Sequence, residues 1–300
     1  MPIRLRTALI ALGCAAVTAS CSQPQRDAKR LRAECEAGNA VACDSFATKL
    51  HRGEYVLRDD ARAAGLFERA CGGKVGRSCA SLGDMRQSGP KPDSAAALRL
   101  FRQACELNAP EGCARLGMLH SVGAGTARDL PRAAALFAQS CEGGHRTGCA
   151  LLGSLHATGD GVAQDYARAA TLFRRSCDST VTLGCLGLGR LHLAGTGAPR
   201  NDSIAASLFK RACYDSKERE GCFDYAAVHE AGRGVPQNFQ RAAALYREGC
   251  EDRNGEACAR LAALYAKGAG VRRDSTHAAK LREDACEYGN ALSCAKPRGN

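Results

Sequence analysis

The chain contains eighteen cysteines, and sixteen of them fall into eight regularly spaced pairs. Seven residues separate the two cysteines in every pair but one, where eight do. The first cysteines of successive pairs are 34 to 37 residues apart, mostly 36. The pairs are Cys35 with Cys43, Cys71 with Cys79, Cys105 with Cys113, Cys141 with Cys149, Cys177 with Cys185, Cys213 with Cys222, Cys250 with Cys258 and Cys286 with Cys294. A period in this range is typical of a solenoid built from stacked supersecondary units.

The same helix signals recur between one cysteine pair and the next. A glycine or alanine stands four positions after the second cysteine, where a small side chain lets a neighbouring helix come close. In most units a Gly-x-Gly turn follows, since glycine ends a helix by adopting left-handed backbone angles. An Asp or Asn comes next, a residue type that caps a helix start. These cap positions are Asp59, Asp93, Asp129, Asp165, Asn201, Asn238 and Asp274. Leu-Phe or Leu-Tyr pairs then follow at helical spacing up to the next cysteine.

Each unit is therefore a helix A, a glycine turn, a helix B and a cysteine-flanked loop. The pattern predicts an all-α, right-handed αα-hairpin solenoid of about seven hairpins from Cys43 to Cys286, with one disulfide per inter-helix loop. A leading helix over about residues 25–37 and a short segment through Cys294 cap the ends. No stretch alternates apolar and polar residues over the length of a strand, so we expect no sheet.

The cysteine pairs are predicted to be disulfides and not zinc sites. Zinc ligand pairs are usually two to four residues apart, so that both sulfurs reach one ion. Seven intervening residues suit a loop between two antiparallel helix ends, whose cysteines come within disulfide range. The sixteen cysteines also pair off completely, which leaves only Cys14 and Cys21 near the N-terminus.

Residues 1–20 are predicted to be a signal peptide. Arg4 and Arg6 precede an apolar run that is too short to remain in a membrane as a spanning helix. Residues 18–21, Thr-Ala-Ser-Cys, resemble the processing site of bacterial lipoproteins, which implies lipidation of Cys21. The alternative is an ordinary signal peptide, which leaves the chain secreted. Residues 21–24 then form a linker and residues 25–300 the array. We expect a cell-envelope protein, in the periplasm or outer membrane of a Gram-negative bacterium.

The repeat motif resembles the Sel1-like repeat family. The motif reads Leu-Gly-x-Leu-His/Tyr-x-x-Gly-x-Gly-Val, then Asp and Ala-Ala-x-Leu-Phe, and it is clearest at residues 152–176 and 261–285. The added cysteine pairs resemble the Helicobacter cysteine-rich proteins, whose repeats are disulfide-bridged helical hairpins. The resemblance covers residues 35–294. It implies an adaptor that binds cell-wall fragments or host proteins.

The first functional prediction is a non-enzymatic scaffold. The formal charge of +11 comes mostly from arginines spread along the chain, which argues against a nucleic-acid-binding tail. Stacked hairpins present a concave face lined by helix A residues. We expect this basic surface to bind a protein or an acidic peptidoglycan fragment, with no cofactor. The chain is expected to act as a monomer and to meet the membrane only through its lipid.

The second prediction, an enzyme, comes from the cysteine-rich relatives, which have been described as weak penicillin-binding proteins or beta-lactamases. Serine beta-lactamases use Ser-x-x-Lys at a helix start, Ser-Asp-Asn, and Lys-Thr-Gly on a strand. Ser207 and Lys210 match the first motif and Arg146-Thr147-Gly148 mimics the third, but Ser-Asp-Asn is absent. Because the repeat register puts Ser207 inside a helix B, we assign no catalytic residue.

The third prediction, metal or haem binding, comes from one position seven residues after the second cysteine. That position holds His120, His156, His192, His229 and Tyr265 in successive units. A row of such side chains is a candidate ligand groove, and histidine titrates near neutral pH. The alternative is a packing residue with a polar tip. Successive repeats lie about 9 to 10 Å apart, too far for two imidazoles to share one zinc readily, so no metal site is assigned.

Overall fold

The computed structural model describes residues 25–89, 91–178, 181–214 and 221–294. These residues form fifteen α-helices and one terminal 3-10 turn, with no strand among them. None of the described helices is long and apolar enough to cross a membrane. The predicted signal peptide, the linker and Cys21 lie outside the described residues.

The chain divides into two compact bodies, one ending at His145 and the other beginning at Arg146. The first contains α1 (25–36), α2 (Ala40–Arg52), α3 (Asp60–Gly72), α4 (Gly76–Ser88), α5 (Ser94–Glu106), α6 (Pro110–Val122) and α7 (Leu130–Glu142). The second contains α8 (Arg146–Thr158), α9 (Tyr166–Ser176), α10 (Thr182–Ala194), α11 (Asp202–Tyr214), α12 (Gly221–Ala231), α13 (Phe239–Glu251), α14 (Gly255–Lys267), α15 (Ser275–Glu287) and the 3-10 turn Ala291–Cys294. From α2 onward, even-numbered helices are helix A and odd-numbered ones helix B.

Within each body, each helix from α2 onward packs against its neighbours in the chain. A disulfide joins the two cysteines that flank the loop between one hairpin and the next. Seven predicted cysteine pairs are bridged, with Cα atoms 4.4 to 4.8 Å apart. Cys141 and Cys149 are disulfide-bonded as well. The predicted all-helical hairpin fold with one disulfide per repeat is confirmed. The seven measured bridges join Cys35 with Cys43, Cys71 with Cys79, Cys105 with Cys113, Cys177 with Cys185, Cys213 with Cys222, Cys250 with Cys258 and Cys286 with Cys294.

The small residue of helix A packs on the aromatic ring of helix B in the same hairpin. A Cβ atom on Gly117 would lie 2.7 Å from the ring of Phe137, and one on Gly189 would lie 2.6 Å from that of Phe209. Both rings are at most 2% exposed. The two helices therefore approach closely because the side chain facing each ring is a hydrogen atom.

The turn between helix A and helix B is closed by its cap residue. Each predicted cap side chain accepts the backbone N–H of the third residue after it, at 2.8 to 2.9 Å. The cap's own N–H donates to a backbone oxygen in the last turn of helix A, at 2.8 to 3.1 Å. In the second hairpin, where the turn is shorter, Asp93 reaches Arg86. The cap thus ties the start of helix B to the last turn of helix A.

Candidate binding surfaces

The predicted histidine position lies at the end of helix A, beside the glycine turn. The side chains are His120 on α6, His156 on α8, His192 on α10, His229 on α12 and Tyr265 on α14. The backbone oxygen of each accepts the N–H of the next cap residue. The position is therefore part of the turn as well as of the helix.

Two of the histidine rings also bond across the turn. Nδ1 of His156 lies 3.2 Å from the carbonyl oxygen of Ala163, and Nδ1 of His192 lies 2.9 Å from that of Pro199. Because a carbonyl oxygen only accepts hydrogen bonds, Nδ1 is the donor in both contacts. Nε2 is then the one ring nitrogen that remains for a ligand. This recurrent use of Nδ1 favours a structural role for the position.

The other two histidines have buried nitrogens without a hydrogen bond. Nδ1 of His120 and both ring nitrogens of His229 are buried and unpaired. Burial is the main cause that lowers the pKa of His229; the nearby carbonyl oxygen of Pro236, although outside ordinary hydrogen-bond geometry, opposes it, and Arg241 adds to the lowering. Across the part of the chain that the structure describes, no three His, Cys, Asp or Glu side chains are placed to hold one metal ion. The groove formed by these residues remains a prediction.

The motif fragments that resemble a beta-lactamase lie on separate helices. Ser207 and Lys210 are both exposed and lie in the middle of α11. Thr147 and Gly148 lie in the first turn of α8. Serine beta-lactamases place Ser-x-x-Lys at a helix start and Lys-Thr-Gly on a strand. Neither context occurs here, so the geometry lends the enzyme prediction no support.

Polar side chains connect the helix A of one hairpin with the helix A of the next, a feature that the sequence analysis missed. In the first body, the buried Asp44 accepts a hydrogen bond from Ser78 at 2.6 Å and pairs with Arg77. Arg115 donates to Asp84 at 2.9 Å, and burial raises the pKa of Asp84 against the effect of that arginine. These partners are 31 to 34 residues apart. The sequence signal for the Asp44–Arg77 and Asp84–Arg115 pairs is two opposite charges about one repeat apart on helix A.

A recess of about 420 Å³ opens in the second body and is lined by residues of α10, α12, the turn after α12, the start of α13, and α14. Val228 and Phe239 contribute an apolar wall. Glu230, Arg233 and Arg260 contribute one negative and two positive charges. The recess therefore combines apolar surface with a small excess of positive charge.

The charged groups of the recess are held in different ways. Glu230 accepts the hydroxyl of the fully buried Tyr246 at 2.8 Å, and burial together with Glu230 raises the pKa of Tyr246. Arg233 is committed to Asp202 at 3.0 Å, and the resulting bonds lower the pKa of Asp202. Arg260 is half exposed, lies 4.0 Å from Glu230 and donates to the exposed Glu256 at 3.3 Å, whereas only about a third of the Arg233 side chain is exposed. Arg260 is therefore the cation of the recess that is best placed to bind an incoming acidic group.

The segments that match a known protein family recur at the same interval as the hairpins. Seven segments match the Sel1 repeat, at residues 50–72, 76–108, 110–145, 147–180, 182–216, 219–254 and 255–287. The chain belongs to the Sel1 repeat family. Sel1 repeats form scaffolds for protein–protein interaction, so the coarse prediction of a repeat scaffold is confirmed. A comparison with curated proteins finds no match.

Three solved structures are similar to this chain, and the first two share its fold. A protective antigen present in uropathogenic Escherichia coli strains is 24% identical with a TM-score of 0.68, over 89% of this chain and 57% of its own. A Sel1 repeat protein from Oxalobacter formigenes is 22% identical with a TM-score of 0.63, over 89% of this chain and 77% of its own. Helicobacter pylori cysteine-rich protein B is 28% identical with a TM-score of 0.34, over 42% of this chain and 91% of its own. This Sel1 repeat chain thus spans little more than half of the antigen.

Proposed function

We propose that this Sel1 repeat chain is an exported, non-enzymatic scaffold, anchored through a lipid on Cys21, that binds a protein or a peptidoglycan fragment on its helix A surface. The recess around Arg260 carries the proposal. An acidic group fits beside Arg260 while a small apolar group fits against Phe239. The acidic peptide stems of peptidoglycan have this combination of groups, as do protein segments with a carboxylate next to an apolar side chain.

The disulfides support the location of the scaffold. One disulfide per repeat is a stable arrangement only in an oxidising compartment, such as the bacterial periplasm or the cell surface. Cys21 is the cysteine that the pairing scheme leaves over between the apolar run and the first repeat. Acylation of Cys21 would hold the array at a membrane without a spanning helix.

Capture of envelope components tests the scaffold. The bait is the mature chain from residue 21 with Cys21→Ala, cross-linked in isolated envelopes, with purified muropeptides as competitor. We expect Arg260→Ala to lower capture by about tenfold, since a hydrogen bond to a charged group contributes about 1.5 to 3 kcal/mol. Arg174→Ala, which removes an exposed arginine from α9, is the matched control and should leave capture unchanged.

Two outcomes would contradict the proposal. Equal capture by Arg260→Ala and by the parent would exclude the recess as the site. A bait that captures nothing above a reduced and unfolded control would exclude the scaffold function itself. Lipidation has a separate test, because metabolic labelling with a fatty-acid analogue should mark the parent and not Cys21→Ala.

A further inference from the structure

The turn of the first hairpin differs from the later turns. At the second glycine position of the turn stands Tyr55, where later hairpins have Gly125, Gly161, Gly197, Gly234 and Gly270. Tyr55 keeps the left-handed backbone of those glycines, with φ at 61°, and is 62% exposed. Two residues later stands Leu57, which is 92% exposed, where the later turns have Ala, Pro or Arg. Two large apolar side chains therefore extend into solvent from one turn.

The fold does not require these side chains. In a later hairpin, a Cβ atom on Gly234 would lie 2.0 Å from the backbone oxygen of Asp202, so the preceding helix B excludes a side chain there. The exposure of Tyr55 means that no such contact covers it. A non-glycine residue with a left-handed backbone is strained, and Lys74, Asn108 and Arg253 share that backbone in the loops between hairpins. Tyr55 thus occupies a strained position at which glycine would serve the fold better.

A cleft of about 850 Å³ lies beside this turn at the N-terminal end of the first body. Phe46, Leu50 and Val56 contribute apolar lining. Its charged residues are four cations and two carboxylates, a balance of +2: Lys29, Arg32, Arg58, Arg62, Asp59 and Asp60. Asp59 is occupied as a helix cap, and Asp60 is held by Arg58 and His51. Arg32 donates to Glu36 at 2.8 Å, so Lys29 and Arg62 are the cations of the cleft considered below. The cleft with Tyr55 and Leu57 is called the N-terminal patch below.

The N-terminal patch lies close to the predicted lipid. Gln25 lines the cleft and Cys21 stands four residues before it. Four residues span at most about 14 Å along any path, since an extended chain advances about 3.3 to 3.6 Å per residue. An acyl chain on Cys21 would therefore hold Gln25, which lines the cleft, within about that distance of the membrane surface.

We propose that the N-terminal patch binds the anionic headgroup layer of the membrane that holds the lipid anchor. Tyr55 and Leu57 enter the interface, and the cations contact lipid phosphates. The proposal rests on the proposed lipoprotein function, in which one lipid attachment is joined by a second contact. Basic side chains next to an anchor strengthen membrane binding, and tyrosine favours the boundary between headgroups and acyl chains. The net positive charge of the patch and its short distance from Cys21 favour a membrane surface over an apolar protein segment as its binding partner.

Vesicle sedimentation tests the patch without the lipid anchor. The mature chain with Cys21→Ala is mixed with vesicles of equimolar phosphatidylglycerol and phosphatidylcholine, or of phosphatidylcholine alone. We expect binding to the anionic vesicles, weaker binding at higher salt, and little binding to phosphatidylcholine alone. The double variant Tyr55→Gly with Leu57→Ala should bind about tenfold more weakly, because it loses both interfacial side chains.

The variants are chosen to preserve folding. The double variant installs residues that later turns already contain, such as Gly161 and Ala163. Leu292→Ala, which removes a leucine 90% exposed in the C-terminal 3-10 turn of the second body, is the matched control and should bind as the parent does. Lys29→Gln with Arg62→Gln should weaken binding to anionic vesicles only.

Three results would overturn the proposal. In the first, the parent and the double variant bind vesicles equally well. In the second, the parent binds both kinds of vesicle equally well. In the third, the double variant loses self-association without any change in vesicle binding. The last result would assign the patch to a second copy of the chain. Failure of Cys21 labelling would reject the lipoprotein but leave the vesicle result standing. Absence of binding to anionic vesicles would reject the patch proposal, but it would leave the results of Cys21 labelling and of envelope capture unaffected.

Discussion

The two glycines of one turn illustrate how differently single residues are constrained. Gly232 and Gly234 have nearly the same left-handed backbone, with φ at 68° and 72°. A Cβ on Gly232 would come no closer than 3.1 Å to the side chain of Gln237. A Cβ on Gly234 would lie 2.0 Å from the backbone oxygen of Asp202. The first glycine is needed for its backbone angles, and the second also for its lack of a side chain.

Alanine at each position separates these two requirements. Gly232→Ala should lower the free energy of unfolding by about 1 to 2 kcal/mol, the cost of a left-handed backbone with a side chain. Gly234→Ala should cost about 1 to 3 kcal/mol more, because the neighbouring hairpin must shift. Denaturant unfolding under non-reducing conditions measures both. Equal losses for the two variants would show that the close approach contributes nothing.

His229 provides a second test at the scale of one residue. Its lowered pKa means that the folded chain resists protonation, whereas an unfolded histidine takes up a proton near pH 6.5. The unfolded state then binds more protons, so the free energy of unfolding should fall as the pH drops from about 7.5 to 5.5. In His229→Tyr, which installs the residue found at Tyr265, this fall should be smaller. His145, whose pKa burial also lowers, should account for part of the remainder.

Carboxylates do not confuse this comparison, because Asp84, whose pKa burial raises, is present in both proteins and the others considered have a lowered pKa. Arg58 and His51 lower the pKa of Asp60, and bonds from arginine lower that of Asp202. Stability from such groups is lost only as the pH falls below the ordinary carboxyl range, near 4. An identical pH dependence in the parent and in His229→Tyr, measured between 7.5 and 5.5, would contradict the assignment.

At the scale of the helix, the caps are interchangeable in type but not dispensable. Asp165 accepts the N–H of Arg168 at 2.9 Å, and Asn238 accepts that of Arg241 at 2.8 Å. Both residue types therefore perform the same bond at equivalent turns. The charge of the aspartate adds only a favourable interaction with the helix N-terminus.

We expect Asp165→Ala to lower the free energy of unfolding by about 1 kcal/mol, since the first turn of α9 loses its side-chain acceptor. Asp165→Asn should cost only a few tenths, because the acceptor oxygen remains. Thermal unfolding followed by circular dichroism measures both variants. A loss in Asp165→Asn as large as that in Asp165→Ala would mean that charge, and not the hydrogen bond, stabilises the start of the helix.

At the scale of the whole molecule, the disulfides compensate for a small core. Helices contact mainly their neighbours in the chain, and the buried side chains are mostly alanine, leucine and cysteine, with at most two buried aromatic rings in a hairpin. Each interface therefore buries little area. Closing a loop of about nine residues stabilises the folded chain by about 2.6 kcal/mol in the chain-entropy treatment. A bridge in every repeat reinforces each interface separately, which suits an array stabilised by nearest neighbours.

Reduction should therefore weaken the entire array. With reductant, we expect the midpoint of thermal unfolding to fall by more than about 10 °C, as several closures are lost together. The double variant Cys250→Ala with Cys258→Ala should lower the midpoint by much less, because it opens a single loop. A melting curve that reductant leaves unchanged would refute this role of the cysteines.

The order of the helices, their caps and their cysteine pairs were predictable from the sequence, because these features depend on contacts that repeat at a constant spacing. Asp165 caps α9 through a bond to a residue three positions away, and Cys250 meets Cys258 across a short loop. Local chemistry of this kind is visible in the residue pattern alone. The same regularity identified Ser207 as an ordinary helix position.

Only the tertiary structure placed residues that meet across repeats. The pairing of Arg115 with Asp84, the position of Arg260 beside Glu230, and the exposure of Tyr55 all depend on how one hairpin packs on the next. The histidine position is the clearest case, since the sequence aligned those residues and the structure directed Nδ1 of His156 and His192 into the turn. A repeat pattern determines which residues are equivalent, whereas packing determines which of them reach a neighbour, a turn or the solvent.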